Sequence, residues 1–344
     1  MVSFACDYSE GAHPRVLDAL VETNFSQQSG YGFDDFTRSA AEKIRENFGC
    51  PEAEIFFHTG GTQTNSTIIA SLLRDWEGVI SPTTGHIAVH EAGAVEYTGH
   101  KVLTIPAKEG LISAVDLAEF LERFEQEGAK DHMVRPALLY ISFPSEYGTI
   151  YTKAELEDIK AVCDNYSIPI FIDGARLGYG LMSERCDISP MDLASLCTVF
   201  TVGGTKVGAL CGEAVVFPHG GMPPHFLTTT KQHGALLAKG RLLGVQFDTL
   251  MSDGLYFEIA LHAIQMAKKV RRIFQEKGYR MFIDSPTNQQ FFILPGNIAE
   301  EISSEVVGEF WENTEEGPVY RFATSWATTE EQLSVLESCL PSLI

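Results

Sequence analysis

Lys206 stands in VFTVGGTKVGALCGE, residues 199–213, behind an apolar run and the Gly203-Gly204 turn. A second apolar segment, 214–217, follows. A lysine on a turn between two buried strands has two readings. It is a solvated side chain on a hairpin, or a desolvated amine with a lowered pKa that condenses with a carbonyl. Asp173 ends the apolar run IPIFI and heads Asp173-Gly174-Ala175-Arg176. A carboxylate at a buried strand end needs a partner, which is either Arg176 or something bound. His58-Thr59-Gly60-Gly61-Thr62 lies between a strand-like run and a helical run. Backbone N–H groups and the helix dipole at such a junction favour an anion. The plainer alternative is a turn with Thr62 as N-cap.

These groups need elements that bring them together. Residues 53–57 read as a strand and 63–73 as a helix. Strand or turn pieces at 78–81 and 87–90 follow, then a helix at 92–97, a strand at 101–105 and a helix at 115–126. A strand at 137–143, a helix at 153–165 and strands at 168–172 and 198–202 complete the series. Alternation of this kind predicts βαβ units and a mostly parallel sheet covered by helices on both faces. ALLYISF and IPIFI are near-continuously apolar, as doubly covered strands are. Ligands in such sheets sit at the carboxyl ends of the strands. That rule gathers the 58–62 turn, Ser145-Glu146-Tyr147-Gly148, the Asp173–Arg176 segment and Lys206 on one rim.

Residues 1–35 are irregular apart from a helix at Pro14–Thr23, and 36–48 is an amphipathic helix with Phe36, Ala40, Ile44 and Phe48 on one face. The N-terminal loop either frays or is tied down over something. After residue 253 the pattern changes to a long helix at 255–277, short strands in YRMFI and QQFFIL, a helix at 298–312, a strand VYRFAT and a last helix at 329–339. The expected organisation is a large α/β domain, 1–253, and a smaller α+β domain, 254–344.

An amine, a carboxylate and an anion cradle on one rim match the needs of pyridoxal 5'-phosphate. Its aldehyde takes a lysine, its ring nitrogen an acid partner, its phosphate a helix N-terminus. An imidazole, from His86 or His90, can cover the ring.

Composition narrows the function classes. The chain has 344 residues and a formal net charge of −21. Nucleic-acid binding needs clustered Lys and Arg, so that partner is not expected. Seven cysteines without CxxC or Cys/His spacing predict free thiols and no zinc site. His86, His90 and His100 fit no metal-helix motif. No signal peptide is visible and no segment approaches the ~20 apolar residues of a membrane span. The expected location is the cytoplasm.

The motifs SGYGFDDFT, HTGGTQTNS, GHIAVHEAGAVE, SEYGTIYT, FIDGARLGYGL, TVGGTKVGALCGEAVVF and VYRFATSWATTEEQL, in this order, resemble the threonine aldolase and β-eliminating lyase group of pyridoxal-phosphate enzymes. That resemblance covers nearly the whole chain and implies the aspartate-aminotransferase-type fold, with a seven-stranded sheet. It implies Lys206 as the Schiff-base lysine, Asp173 on the pyridinium nitrogen, and Gly61 and Thr62 on the phosphate. His86 would stack on the ring and handle the β-hydroxyl proton. Arg176 would lie near the phenolic oxygen and the substrate carboxylate, which Arg321 would clamp. By itself, Arg321 in an alternating strand reads as solvent-facing. Asp7 and Tyr31 would come from the N-terminal segment, and Tyr31 or Lys231 would reach a neighbour's site in a homodimer or homotetramer.

The implied reaction is retro-aldol cleavage of L-threonine or L-allo-threonine to glycine and acetaldehyde, a step of threonine breakdown and glycine formation. β-Elimination or racemisation on the same scaffold, or a non-catalytic phosphate-binding protein, are the alternatives. The loop PSEYG departs from the better-known branch, which has histidine near Glu146, and GGTK replaces an SKG-type run. Glu146 is therefore a candidate base or hydroxyl acceptor. Glu91 reads equally as a helix cap or a catalytic group.

Overall fold

The computed structural model describes residues 1–343. Among them, seven strands form the central sheet: β1 (Glu54–His58), β2 (Glu77–Pro82), β3 (Lys101–Ile105), β4 (Arg135–Ser142), β5 (Ile170–Asp173), β6 (Val199–Gly203) and β7 (Glu213–Phe217). Their order is β1-β7-β6-β5-β4-β2-β3. Neighbours are parallel except β7, which runs antiparallel to both β1 and β6. The chain therefore reverses between β6 and β7, and Lys206 lies in that reversal.

Leu138–Ile141 of β4 and all of β5 and β6 are buried, as their apolar sequences require. Burying each such side chain is worth about 1.5–3 kcal/mol. Helices α1 (Pro14–Thr23), α2 (Asp35–Phe48) and α3 (Gly61–Leu72) follow the predicted spans closely. In α2, Asp34 caps the backbone N–H of Thr37 at 2.8 Å, and Ala40, Ile44 and Phe48 enter the core.

Two spans differ from expectation. Residues 87–90 belong to a short helix, α4 (His86–Val89), because a brief apolar run cannot be assigned by periodicity alone. The helix expected at 298–312 ends at Ile302. Beyond it Val306–Val307 and Glu309–Thr314 are strands. Gly308 interrupts the helical run, and Val306, Val307, Phe310 and Trp311 suit a pleated surface.

After Gly254 a long helix, α5 (Leu255–Glu276), leads to a second, antiparallel sheet. Its strands are β8 (Met281–Ile283), β9 (Gln289–Ile293), β10 (Glu309–Thr314) and β11 (Gly317–Ala323), in the order β10-β11-β9-β8. The N-terminal segment is tied down against this part of the chain. Val2–Ser3 pairs with Val306–Val307, and Ala323 N–H donates to Phe4 C=O at 2.7 Å.

Candidate active site

Asp173 and Lys206 are set by two strands that approach unusually closely at their carboxyl ends. A Cβ on Gly174 would lie 1.9 Å from Thr201 C=O, and one on Gly203 2.4 Å from Ala175 C=O. A side chain at either position would part β5 from β6. Beyond Gly203, Tyr179 Oη donates to Lys206 C=O at 2.5 Å and Tyr256 Oη to Gly203 C=O at 3.1 Å. The lysine backbone is thereby fixed. Its amine makes no hydrogen bond or ion pair among the described residues. Its Nζ lies 5.9 Å from the centre of the Tyr8 ring. Burial, reinforced by the Arg176 charge, lowers the Lys206 pKa, which favours the nucleophilic neutral amine.

Arg176 does not pair with Asp173. It forks onto Asp7 at 2.7 and 3.0 Å, and Asn288 Nδ2 donates to the same carboxylate at 2.9 Å. Burial alone would raise the Asp7 pKa; the Arg176 and Lys206 charges and these hydrogen bonds outweigh it and hold the carboxyl well below the usual range. Asp173 is held instead by its own surroundings. Asn65 Nδ2 and Tyr140 Oη donate to Oδ2 at 2.9 and 2.7 Å, and Ala175 N–H donates to Oδ1 at 2.9 Å.

Those contacts belong to a closed ring. Asn65 Nδ2 also reaches Glu91 Oε1 at 2.8 Å, and that oxygen is 2.8 Å from His86 Nδ1. The His86 backbone N–H donates to Glu146 Oε1 at 2.9 Å. Ser142 Oγ donates to Glu146 Oε1 at 2.6 Å and lies 3.2 Å from Tyr140 Oη. Glu91 is thus neither a helix cap nor a free carboxylate: it holds the imidazole. Burial raises the pKa of Glu146.

All of these groups line or support one cavity of about 310 Å³, whose wall includes Gly60, Gly61, Thr62, His86, Glu146, Asp173, Arg176 and Lys206. Gly60 is the N-cap of α3 and no side chain caps that end, so Thr62 is not the cap. A Cβ on Gly60 or Gly61 would meet nothing within 4 Å. The first backbone N–H groups of α3 have no helical acceptor, and the space beside Gly60 and Gly61 is open. Glu213 lines the same wall; burial and then the Asp173 charge push its pKa up to about 8, and its Oε2 has no partner among the described residues.

A second space of about 290 Å³ shares Tyr8, His86, Glu146, Arg176 and Lys206 with the first and adds His90, Glu309, Trp311 and Arg321. Arg321 is buried and not solvent-facing. It donates to Gln289 Oε1 at 3.0 Å and Ala5 C=O at 2.8 Å, pairs with Glu309, and lies over the Trp311 ring at 5.3 Å. Its Nε has no partner among the described residues. Tyr31 and Lys231 line neither space. They meet each other, Nζ 4.8 Å from the ring centre, and Tyr31 borders a separate cavity of about 180 Å³ with Phe33 and Thr37.

Comparison with known proteins places this geometry. Residues 4–276 match the family model of the β-eliminating lyases. The chain belongs to that family. It is 40% identical to the threonine aldolase of Leishmania major, covering 99% of this chain and 98% of the other, with a TM-score of 0.95. A low-specificity L-threonine aldolase from a Pseudomonas strain is 27% identical over 97% of this chain and 95% of its own length. Aspartate aminotransferase of Thermus thermophilus, 16% identical with a TM-score of 0.70, shares the fold. The protein is a lyase whose cofactor is pyridoxal 5'-phosphate. The residues present fit that group: an unpaired amine, a carboxylate that accepts from three donors, and an uncapped helix end beside two unobstructed glycines.

Asn65, Tyr140, Ser142 and Glu213 escaped the sequence reading. Signals existed for two of them. Asn65 falls four residues after Gly61, hence on the same face of α3. Tyr140 sits in an apolar strand where a buried phenol needs a partner. Glu213 and Ser142 carried no local signal.

Proposed function

We propose that the chain cleaves β-hydroxy-α-amino acids, L-threonine and L-allo-threonine foremost, to glycine and an aldehyde, which is acetaldehyde for these two. The observation that carries this reading is the run His86–Glu91–Asn65–Asp173, which ties a proton-handling imidazole to the carboxylate suited to a ring nitrogen. When bound, pyridoxal phosphate supplies the electron sink that makes a bond at Cα labile.

The chain's own residues would do the rest. Lys206 would tether the cofactor's aldehyde carbon, Asp173 would keep the ring nitrogen protonated, and Gly61 and Thr62 would hold the phosphate. Arg321 and Arg176 would take the substrate carboxylate, since a guanidinium fork matches it. Asp7 would keep Arg176 in place. That grip decides which Cα bond stands in the reactive orientation. His86 donates Nδ1–H to Glu91, so its Nε2 is free to accept a proton. Together with Glu146 it can hold or move the proton of the β-hydroxyl.

A homodimer or homotetramer is part of the proposal, with Tyr31 and Lys231 facing a second copy's cavity. Their distance from the cavity of their own chain supports it. So are a cytoplasmic location, a role in threonine breakdown and glycine formation, and a domain division near Gly254. Among the described residues all seven cysteines are free, and no helix is long and apolar enough to cross a membrane.

The test is product analysis with L-threonine and L-allo-threonine. Equimolar glycine and acetaldehyde are expected. Keto acid and ammonia instead, or interconverted stereoisomers without cleavage, would overturn it.

A further inference from the structure

Three carboxylates, Glu91, Asp173 and Glu146, share one hydrogen-bonded ring, and their hydrogens can be counted. Tyr140 has one hydroxyl hydrogen, which goes to Asp173 Oδ2 at 2.7 Å. Towards Ser142 it can therefore only accept. Ser142 also has one hydrogen and two acceptors in reach: Glu146 Oε1 at 2.6 Å and Tyr140 Oη at 3.2 Å. An ionised Glu146 is the stronger acceptor and keeps that hydrogen. A protonated Glu146 is a weak acceptor, and the hydrogen then has somewhere else to go. In neither setting is a buried donor stranded, and in both Asp173 keeps its three donors.

We propose that Ser142 is a two-setting positioning residue that lets Glu146 take the substrate's β-hydroxyl proton and give it back while Asp173 keeps its three donors. This rests on the retro-aldol reading above and adds to it which group moves the proton. The step balances. The substrate O–H bond breaks and an O–H bond forms on the Glu146 carboxylate. The oxygen's electron pair becomes the second bond of the aldehyde carbonyl as Cα–Cβ breaks, with that bond's pair left at Cα. Glu146 then returns the proton to Cα, a C–H bond forms, and the carboxylate is restored. Ser142 turns to Tyr140 on the first transfer and back on the second. The His86 backbone N–H stabilises ionised Glu146 in this exchange.

The neighbours of Glu146 make such a device useful. Glu91, Asp173, His86 on α4, Arg176 after β5 and Lys206 after β6 line the same cavity; of these the Asp173 charge disfavours ionised Glu146 and His86 offsets it. Arg321 and Glu309 face it across the second space, and Tyr140 and Tyr151 remain neutral beside it because burial raises both. Burial of Glu146 itself puts its titration above the usual carboxylate range.

The experiment is the pH profile of kcat/KM for the loaded enzyme, with the cofactor's absorbance and binding constant measured alongside. An ionised Glu146 is needed, so the parent's activity rises with pH through an acidic limb. S142A removes the donor to the ionised form and is expected to move that limb to higher pH by about one unit, and S142T to restore it. Y140F removes the acceptor of the second setting and is expected to move the limb to lower pH. Cofactor binding in S142A should stay within about threefold of the parent. E146Q should lose the limb and most of the turnover. If E146Q loses turnover but S142A leaves the limb in place, or if S142A and Y140F move it the same way, the two-setting device is wrong and the retro-aldol reading stands. An E146Q enzyme with parental turnover and limb removes Glu146 as proton acceptor and overturns the proposal entirely.

Discussion

Asn65 Nδ2 donates to Glu91 Oε1 at 2.8 Å and to Asp173 Oδ2 at 2.9 Å, so one amide joins the imidazole's support to the carboxylate on β5. Replacing Asn65 by Ala leaves two buried carboxylates each short of a donor. An unsatisfied buried polar group costs about 1–3 kcal/mol, so kcat/KM should fall about 10- to 100-fold. N65D, which adds a third negative charge, should lose more. Steady-state kinetics with L-threonine decide it; a change within twofold would mean that the bridge is idle.

Lys206→Ala removes the amine in the cavity suited to condense with an aldehyde. The purified variant should lack the visible absorbance of the bound cofactor and should not turn over substrate. A variant that keeps the band and the activity would sink the assignment of Lys206.

Asp7→Asn leaves Arg176 buried without its counter-charge. Breaking a buried pair from one side costs about 3–5 kcal/mol, a large share of a domain's stability. The sign of the pH effect follows from the depressed pKa. The parent's Asp7 contribution is fully present above the ordinary carboxylate range, about pH 4, and is lost as pH falls below it towards the folded-state value. Thermal melts of the two proteins should therefore differ most near neutrality and converge in acid. A neutral-pH Tm equal to the parent's would contradict the pairing.

Glu213 behaves in the opposite sense. Its folded-state pKa is raised to about 8, so between about pH 4.3 and that value the unfolded chain loses a proton that the folded chain keeps. Stability must fall with rising pH across that window. E213Q removes the penalty and should melt progressively higher than the parent from pH 5 to 8. Parallel Tm curves over that range would show that Glu213 titrates normally.

Arg321 is proposed to take the substrate carboxylate, yet Glu309 already pairs with it. R321Q should raise KM about 10- to 100-fold, the worth of a hydrogen bond to a charged group. E309Q should lower KM, because the substrate no longer displaces an internal rival. An unchanged KM in R321Q would place the carboxylate elsewhere.

The rim was legible in the sequence because each of its groups follows an apolar strand, and parallel sheets bind ligands at strand ends. Lys206, Asp173 and the Gly60-Gly61-Thr62 turn are there for that reason. The ring around Asp173 was not. Tyr140 and Ser142 lie two apart on β4, Asn65 on α3, Glu91 beyond α4, and nothing in their local spacing brings them together. Arg176 illustrates the same limit. In sequence its obvious partner is Asp173, three residues away, but on a strand-to-helix turn the two side chains diverge and Asp7, 169 positions away, takes the guanidinium.

The sequence by itself determined the layered α/β architecture and the cofactor, and it offered the candidate residues to hold it, since hydrophobic periodicity and residue type are local properties. Only the tertiary structure decided which carboxylate pairs with which donor, that Glu91 supports His86, and that Ser142 stands between Glu146 and Tyr140. Those are contacts between distant segments. They are fixed by how strands stack side by side and by the requirement that every buried polar group find a partner.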